Sequence, residues 1–334
     1  MVEVLLSVDD AHALVETALT ASGTSLPNAA SVARALVGAE LAGQGGHGLR
    51  RVPAYAAQAR TGKVDGHAVP TARRTRPGAV HIDAAHGFAY PALDLAVEEL
   101  AAIAPVQGIA AAGIVRSHHA GVAGLAVEAL ANMGLVAMLF ANAPAAMAPW
   151  GGRRPLYGTD PIAFAGPVEG GEPIVVDVSL SKVARGKIMA AGQKGEAIPE
   201  GWAFDAEGRP TTDAKAALAG TMAPLGDAKG TALALMVELL AAGLTGANFA
   251  AEQSSFFDSK GPPPGTGQLM IGIDPGVFGG VRAVARFTEM AEAIAGSGAR
   301  VPGRRRQELR DRLRRDGIPA DRALIDEIQR IGAD

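Results

Sequence analysis

Apolar positions recur at helical spacing through the first part of the chain. Ser7 stands where an N-cap belongs, with Asp10 three residues on, and the periodic run Ala11 to Ala21 follows it. Pro27 to Leu41 is a second, Ala-rich helical run whose one interior glycine is Gly38. A glycine cluster, Gly43 to Gly48, separates it from a third run over Leu49 to Thr61. Residues 1–75 therefore read as a helical unit.

Further along, short apolar runs bounded by glycines alternate with helical stretches. Strands are expected over Ala79 to Asp83, Gly108 to Val115, Leu135 to Asn142, Glu172 to Asp177 and Gln268 to Asp274. Helices are expected over Ala92 to Ala104, Val122 to Met133 and Lys229 to Ala242. That alternation implies a mixed α/β core over residues 76–280. Arg304 to Arg315 then holds seven arginines against two acids, and Gly317 and Pro319 break the pattern before a last helix. Residues 281–334 are expected to be helical and to pack back on the N-terminal unit. No solenoid-like period repeats along the chain.

Composition narrows the class. With 334 residues, 48% hydrophobic and 19% charged, the chain can bury a large core, so disorder is not expected. Aromatics are only 4%, which leaves the packing to Ala, Leu, Val and Ile. A net charge of −3 argues against nucleic acid or a membrane surface as the main partner. The absence of cysteine excludes disulfides, a thiolate nucleophile and Cys-ligated metal. Met1 to Asp10 carries acids and no Lys or Arg, unlike a signal peptide. The apolar stretch Thr231 to Leu244 is interrupted by Glu238 and falls short of the ~20 residues a spanning helix needs. The cytoplasm is the expected compartment.

The cluster Gly43-Gln-Gly45-Gly46-His47-Gly48 fits G-x-G-x-x-G, yet it follows a helix rather than a strand, and Asp65 falls in a loop. It is therefore not expected to be a Rossmann fingerprint. Chemistry is carried elsewhere. His47, Arg51 and Tyr55 lie at i, i+4 and i+8, so on a helix beginning near His47 they would share one face and could hold a carboxylate and a neighbouring oxygen. The same spacing would also suit an exposed polar face. Ser117-His118-His119-Ala120-Gly121 lies where a strand turns into a helix. Amides there would lower a His pKa and favour an imidazole able to accept a proton. A metal site on the paired histidines is the other reading, although neighbouring residues do not easily share one ion. Pro149-Trp-Gly-Gly152 and Gly158-Thr-Asp-Pro161 suit close backbone approach to a ligand. Lys229, in the first turn of its helix, invites an anion, though a surface lysine looks the same.

These segments, in this order, resemble the type-2 malate/L-lactate dehydrogenase family. It is a non-Rossmann group that also includes sulfolactate, ureidoglycolate and 2,3-diketogulonate oxidoreductases and some cyclic imine reductases. The match runs from His47-Gly48 through His119-x-Gly121, Pro149 to Gly152, Gly158-Thr-x-Pro161 and Lys229-Gly230 to Val301-Pro-Gly303. The resemblance implies a mixed-sheet nicotinamide-binding core with a helical domain built from both terminal segments, assembled as a homodimer. It implies His119 as the acid/base and His47 as a second active-site histidine. Substrate contacts would come from Arg51, Tyr55 and Thr159, with Arg185 and Gly186. The cofactor would run past His119, Ala120, Gly121, Val122 and Ala123, then Asp177, Val178 and Ser179, then Lys229 and Arg304, Arg305 and Arg306, with most of its contacts between about residues 120 and 250. Those three consecutive arginines, matched to a 2′-phosphate, favour NADP over NAD. No metal is implied.

Three positions depart from the family pattern. Gly46 stands where Ser usually precedes the first histidine, Lys187 where the imine-reducing branch tends to carry an acid, and Asp160 where Asn is usual. The first two favour hydride transfer between NAD(P)H and a small 2-oxo or 2-hydroxy carboxylate, malate-, lactate- or sulfolactate-like, over reduction of a cyclic imine carboxylate. A metal-dependent hydrolase built on the histidines and a non-catalytic anion-binding protein are the rivals from other classes.

Overall fold

The computed structural model describes residues 3–333; Met1, Val2 and Asp334, the outermost residues of the two terminal segments, lie outside the described residues. The chain opens with strand β1 (Glu3–Leu6), then helices α1 (Val8–Ala21), α2 (Leu26–Leu41) and α3 (Val52–Arg60). Next come β2 (Thr71–Arg76), β3 (Ala79–Asp83), α4 (Ala89–Gln107), β4 (Ile109–Ser117), α5 (Ala123–Asn132), β5 (Val136–Ala141), β6 (Ile162–Val168) and β7 (Gly171–Val178). A smaller lobe follows: α6 (Arg185–Lys194), β8 (Ala203–Phe204), β9 (Pro210–Thr211), α7 (Ala214–Ala219) and β10 (Thr221–Met222). The chain continues through α8 (Ala228–Glu238), β11 (Thr266–Ile273), α9 (Gly276–Gly279), α10 (Ala283–Gly296), α11 (Arg304–Asp316), β12 (Ile318–Asp321) and α12 (Arg322–Ala333).

Local chemistry explains the starts and stops. Ser7 caps α1 as its position implies, its Oγ accepting from the Asp10 amide at 3.0 Å. Pro27 sits in the first turn of α2, where its missing N–H costs nothing. Gly108, at φ 81°, ends α4 and turns the chain into β4.

Seven strands form one mixed sheet in the order β2-β3-β4-β11-β5-β6-β7. Only β3 and β4 run parallel, and α4 makes the crossover between them; the other pairs are antiparallel. Both faces of the sheet are covered. Leu139 and Met270 point to one face, into a core with Leu100 and Ala104 of α4 and Val127 and Leu130 of α5. Their neighbours Phe140 and Leu269 point to the other, against Ala234, Val237 and Ala241 along α8 and its one-turn π extension Leu239–Gly243. The period of two along β5 and β11 is thus read out on opposite cores.

Two expectations need correction. Residues 1–75 are not purely helical: β1 pairs antiparallel with β12, with Leu6 opposite Ile318, and β2 begins at Thr71. β1 is four residues long and has no local partner, so nothing in its own spacing marks it as strand. β2 carries Arg73, Arg74 and Arg76 on an exposed sheet edge, where charge blocks further pairing, and so lacks the apolar alternation of a strand. Strand β6, after Pro161, also escaped the reading. At the other end Gly317, at φ 93°, stops α11 as expected, and Pro319 then falls within β12.

Candidate active site

The glycine cluster is shaped around a carboxylate of the protein itself. Gly45 to His47 forms a single 3-10 turn after α2, and Glu40 at the end of that helix accepts the Leu49 amide at 2.8 Å. A Cβ at Gly48 would come within 2.2 Å of Glu40 Oε1, and one at Gly45 within 3.0 Å of Oε2. The glycines are there to let the backbone wrap Glu40, which accounts for a phosphate-loop pattern with no strand before it.

His47, Arg51 and Tyr55 do converge, but not by sharing a helix face. Gly48, at ψ −137°, breaks the helical path, and α3 begins only at Val52. His119, from the turn after β4, gathers them. Its Nε2 lies 3.1 Å from His47 Nδ1, its Nδ1 lies 2.6 Å from the Tyr55 hydroxyl, and Tyr55 continues to the Tyr90 hydroxyl at 3.0 Å. The His47 and His119 rings stack with centroids 5.1 Å apart. The result is a continuous hydrogen-bonded line from His47 through His119 and Tyr55 to Tyr90.

Arg51 lies beside this line. Its Nε donates to Gly46 O at 2.9 Å, and its guanidinium carbon sits 4.6 Å from the centre of the Phe257 ring. Neither terminal nitrogen has a protein hydrogen-bond partner among the described residues, so the fork is free for a planar anion. Phe256 packs on both imidazoles, 5.2 Å from His118 and 5.1 Å from His119. Gln58 and Lys63 hold the segment carrying it: Gln58 Nε2 donates to the carbonyls of Phe256 and Asp258, and Lys63 Nζ to that of Ser255.

Burial sets the electrostatics. His119 is held well below the ordinary imidazole value, first by burial, then by the charge of Arg51 and by His47 and His118. The helix terminus expected to do this is not the cause: α5 begins only at Ala123, and its Gly124 amide is taken by Asp177 Oδ2 at 3.0 Å. His47 is lowered to about 4 by burial and then Arg51, and burial pushes Tyr55 up to about 12. His118 does not join the line. It is lowered to about 3 by burial, and its ring lies among Tyr55, Phe88 and Phe256 with both nitrogens unpartnered among the described residues. It is an aromatic filler in the core, and an N–H pointing at a ring face is its available contact.

The remaining site positions distribute as follows. Thr159 lies beside the loop after β7, its carbonyl accepting from the Leu180 amide at 2.8 Å and from Ser179 Oγ at 3.3 Å. Ala120, Val122 and Ala123 are buried at the entrance to α5. Gly121, at φ 66°, passes so close to Tyr90 that a Cβ would lie 2.6 Å from its hydroxyl. Asp177 and Val178 end β7. Asp177 faces Arg306 Nη2 at 3.5 Å, and Arg306 Nη1 is buried without a partner, whereas Arg304 and Arg305 stand exposed at the start of α11. Lys229 is exposed in the first turn of α8. Arg185 and Gly186 begin α6, apart from the imidazole line, with Arg185 donating to Ala145 O at 3.2 Å. Tyr90, Phe256 and Phe257 were not anticipated. A tyrosine beside a glycine-bounded helix start and a Phe-Phe pair in a turn-rich segment carry no spacing signal, and only the fold brings them to His119. No group of three or more metal-binding side chains converges among the described residues, and no described helix is long and apolar enough to cross a membrane.

A buried imidazole, a guanidinium fork beside it without a protein partner among the described residues and a basic strip at the sheet edge formed by β7 make this cluster the candidate active site. The chain belongs to the malate/L-lactate dehydrogenase family, whose family model matches residues 6–329. It is 52% identical over 329 residues to an NADP(+)-dependent (2R)-3-sulfolactate dehydrogenase of Chromohalobacter salexigens, covering 97% of each chain. It is 39% identical to a Δ(1)-pyrroline-2-carboxylate reductase of Ancylobacter novellus, covering 98% of each. The crystal structure of Δ1-piperideine-2-carboxylate reductase from Pseudomonas syringae superposes with a TM-score of 0.92 at 38% identity, over 98% of this chain and 99% of that one. The mixed, non-Rossmann sheet is thus the fold of this family.

Proposed function

We propose that the protein is an NADP-linked oxidoreductase that interconverts a small 2-hydroxy carboxylate and its 2-oxo form, with a 3-sulfolactate-like compound as the leading substrate. The observation that carries this reading is the free Arg51 fork beside His119, whose lowered pKa keeps the imidazole neutral near pH 7. The 52% identity to a sulfolactate dehydrogenase supports the substrate class.

Arg51 takes the substrate carboxylate through its two free nitrogens, and the Phe257 ring beneath limits how the guanidinium can tilt. In oxidation, the substrate 2-hydroxyl replaces His47 at Nε2 of His119, which accepts its proton there as the C2–H bond breaks. The Tyr55–Tyr90 hydroxyls on the Nδ1 side share the charge that develops on the ring. In reduction the same imidazole returns the proton to the carbonyl oxygen. Phe256, closing over both imidazoles, excludes water from that exchange. The nicotinamide cofactor, when bound, takes or gives the hydride at C2. Its binding strip comprises Ala120 to Ala123, Asp177 to Ser179, Lys229 and Arg304 to Arg306. The unpartnered buried Nη1 of Arg306, with exposed Arg304 and Arg305 beside it, suits a phosphate of that cofactor. Arg185 and Gly186, with Thr159, form the outer edge of the substrate site.

We read residues 1–75 and 281–334 as a helical part closing over the mixed-sheet part of residues 76–280. The enzyme is placed in the cytoplasm, where its cofactor is supplied. A second copy of the chain completes it: Leu233, Leu235 and Met236 on α8 and Leu239 at the start of its π extension make an exposed apolar face, which an isologous dimer would cover. Sedimentation equilibrium should give twice the chain mass, and a monomer at micromolar concentration would remove this part of the reading.

The test of the function is nicotinamide absorbance with NADPH and a panel of the 2-oxo forms of sulfolactate, malate and lactate beside Δ1-pyrroline-2-carboxylate. Turnover should be fastest with a 2-oxo acid. Preference for the cyclic imine would move the protein to the reductase branch, and silence across the panel would defeat the proposal.

A further inference from the structure

Asp160 is fully buried and has φ +38°, in the left-handed region that a β-branched or bulky residue rarely enters. Both of its carboxyl oxygens and Glu238 Oε1 are buried without a well-aligned donor among the described residues, the nearest donors being the Ala143 and Gly158 amides. Glu238, buried on α8, is the group that Asp160 meets. Its other oxygen, Oε2, accepts from the Ala250 amide at 3.0 Å and from Asn142 Nδ2 at 3.3 Å. No Lys, Arg or His pairs with either acid among the described residues; Tyr157 is the other titratable side chain that feels both.

Two carboxylates in contact, out of water and without a cation, cannot both be ionised. Burial first, and then the charge of Glu238, hold Asp160 well above the usual carboxylate range, and Glu238 is raised too, chiefly by burial. We propose that Asp160 and Glu238 share one proton, and that this acid–carboxylate bond is a positioning device for the substrate side of the active site. Three segments meet at it. Asp160 follows Thr159 directly in the chain. Asn142 directly follows β5, and its Oδ1 accepts the Gly267 amide at 3.0 Å. Ala250 opens the segment that carries Phe256 and Phe257 to His119 and Arg51. The backbone closes tightly at the same point, since a Cβ at Gly158 would lie 2.4 Å from Asp160 Oδ1 and 2.2 Å from Ala143 O. When the shared proton leaves, two negative charges face each other and the three segments are pushed apart.

The sign follows from linkage. The native state holds a proton that the unfolded state releases in the ordinary carboxyl range, so stability declines as pH rises from that range toward the pair's own titration. Asp160→Asn supplies a permanent donor to Glu238 and does not titrate. Asp160→Ala supplies neither.

The role of Thr159 in this proposal rests on the functional reading above, whereas the proton itself is measured without turnover. Infrared difference spectra of the wild type near neutral pH should show a carboxylic-acid C=O band that is missing in Asp160→Asn. The wild-type melting temperature should fall between about pH 5 and about pH 8 relative to that variant. In the oxidative direction, where His119 gives only an acid limb, the wild type should lose kcat/KM at alkaline pH. Asp160→Asn should remove that limb, and Asp160→Ala should lose about tenfold at every pH, the scale of one mispositioned contact. The proposal is overturned if no acid band disappears in Asp160→Asn, if the two proteins share one pH–stability slope, or if purified wild type carries a stoichiometric cation that Asp160→Asn lacks. An unaltered alkaline limb alongside the expected band and slope would refute the link to Thr159 while leaving the proton in place.

Discussion

Arg51 beside the neutral imidazole line and the arginine cluster at the start of α11 both offer positive charge, yet their surroundings are built in opposite ways. His119 and Tyr55 are buried, and their polar atoms are spent on one another. Arg304 and Arg305 are exposed, and only Arg306 is committed, to Asp177. Burial makes the first region reactive, because removing water is what lowers His119 and His47 and makes each charge nearby count. It also makes that region intolerant of change. The second region keeps its charges in water, where each is worth less and can be altered with little consequence for the fold. The proposed function assigns proton transfer to the buried region and cofactor choice to the exposed one.

The largest effect should come from His119→Ala. A positioned general acid or base contributes typically ~10²–10⁴ in rate, and loss on that scale is expected in kcat with cofactor affinity largely kept. A drop of less than about threefold in a correctly folded variant would place the proton transfer elsewhere.

Arg51 separates charge from geometry. Arg51→Lys keeps the positive charge and loses the fork, so kcat/KM for the carboxylate should fall about tenfold or more while the cofactor Kd stays put. Arg51→Gln removes the charge that helps to depress His119. The acid limb of the oxidative pH profile should then move to higher pH, because the imidazole has become easier to protonate. A limb that stays in place would mean that burial alone sets His119.

The smallest of these effects concerns the exposed side. Arg304→Ser with Arg305→Ser should raise KM for NADP(H) about tenfold, roughly 1.4 kcal/mol, and barely touch NAD(H). An unchanged cofactor ratio would assign the 2′-phosphate to Arg306 or Lys229 instead, and would weaken the contrast between the two regions.

What could be read from residues alone follows the same division. The core strands β4, β5 and β11 announce themselves because both of their faces are buried and both are apolar. β1 and β2 do not, because their strand character comes from partners distant in sequence or from an exposed edge. The i, i+4, i+8 spacing of His47, Arg51 and Tyr55 suits an exposed polar face as well as a shared site, so it names the three residues without deciding between the two. The device that unites them was not legible, since Gly48 breaks the helix and His119 arrives from the turn after β4. Phe256 is contributed by an irregular segment held by Gln58 and Lys63, a contact spanning almost two hundred residues that no local pattern encodes. The Gly124 amide at the start of α5 is taken by the protein's own Asp177, a partner more than fifty residues away that no local pattern announces.

The central claim is that hydride passes directly between NADPH and C2 of a 2-oxo acid held by Arg51, with the proton coming from His119. Reduction of the 2-oxo form of 3-sulfolactate with NADPH deuterated at the transferable C4 position, in ordinary water, tests it most directly. The account predicts one deuterium at C2 of the hydroxy acid and none exchanged to solvent. A product that carries only solvent hydrogen at C2, or no product at all from any 2-oxo acid, would contradict it.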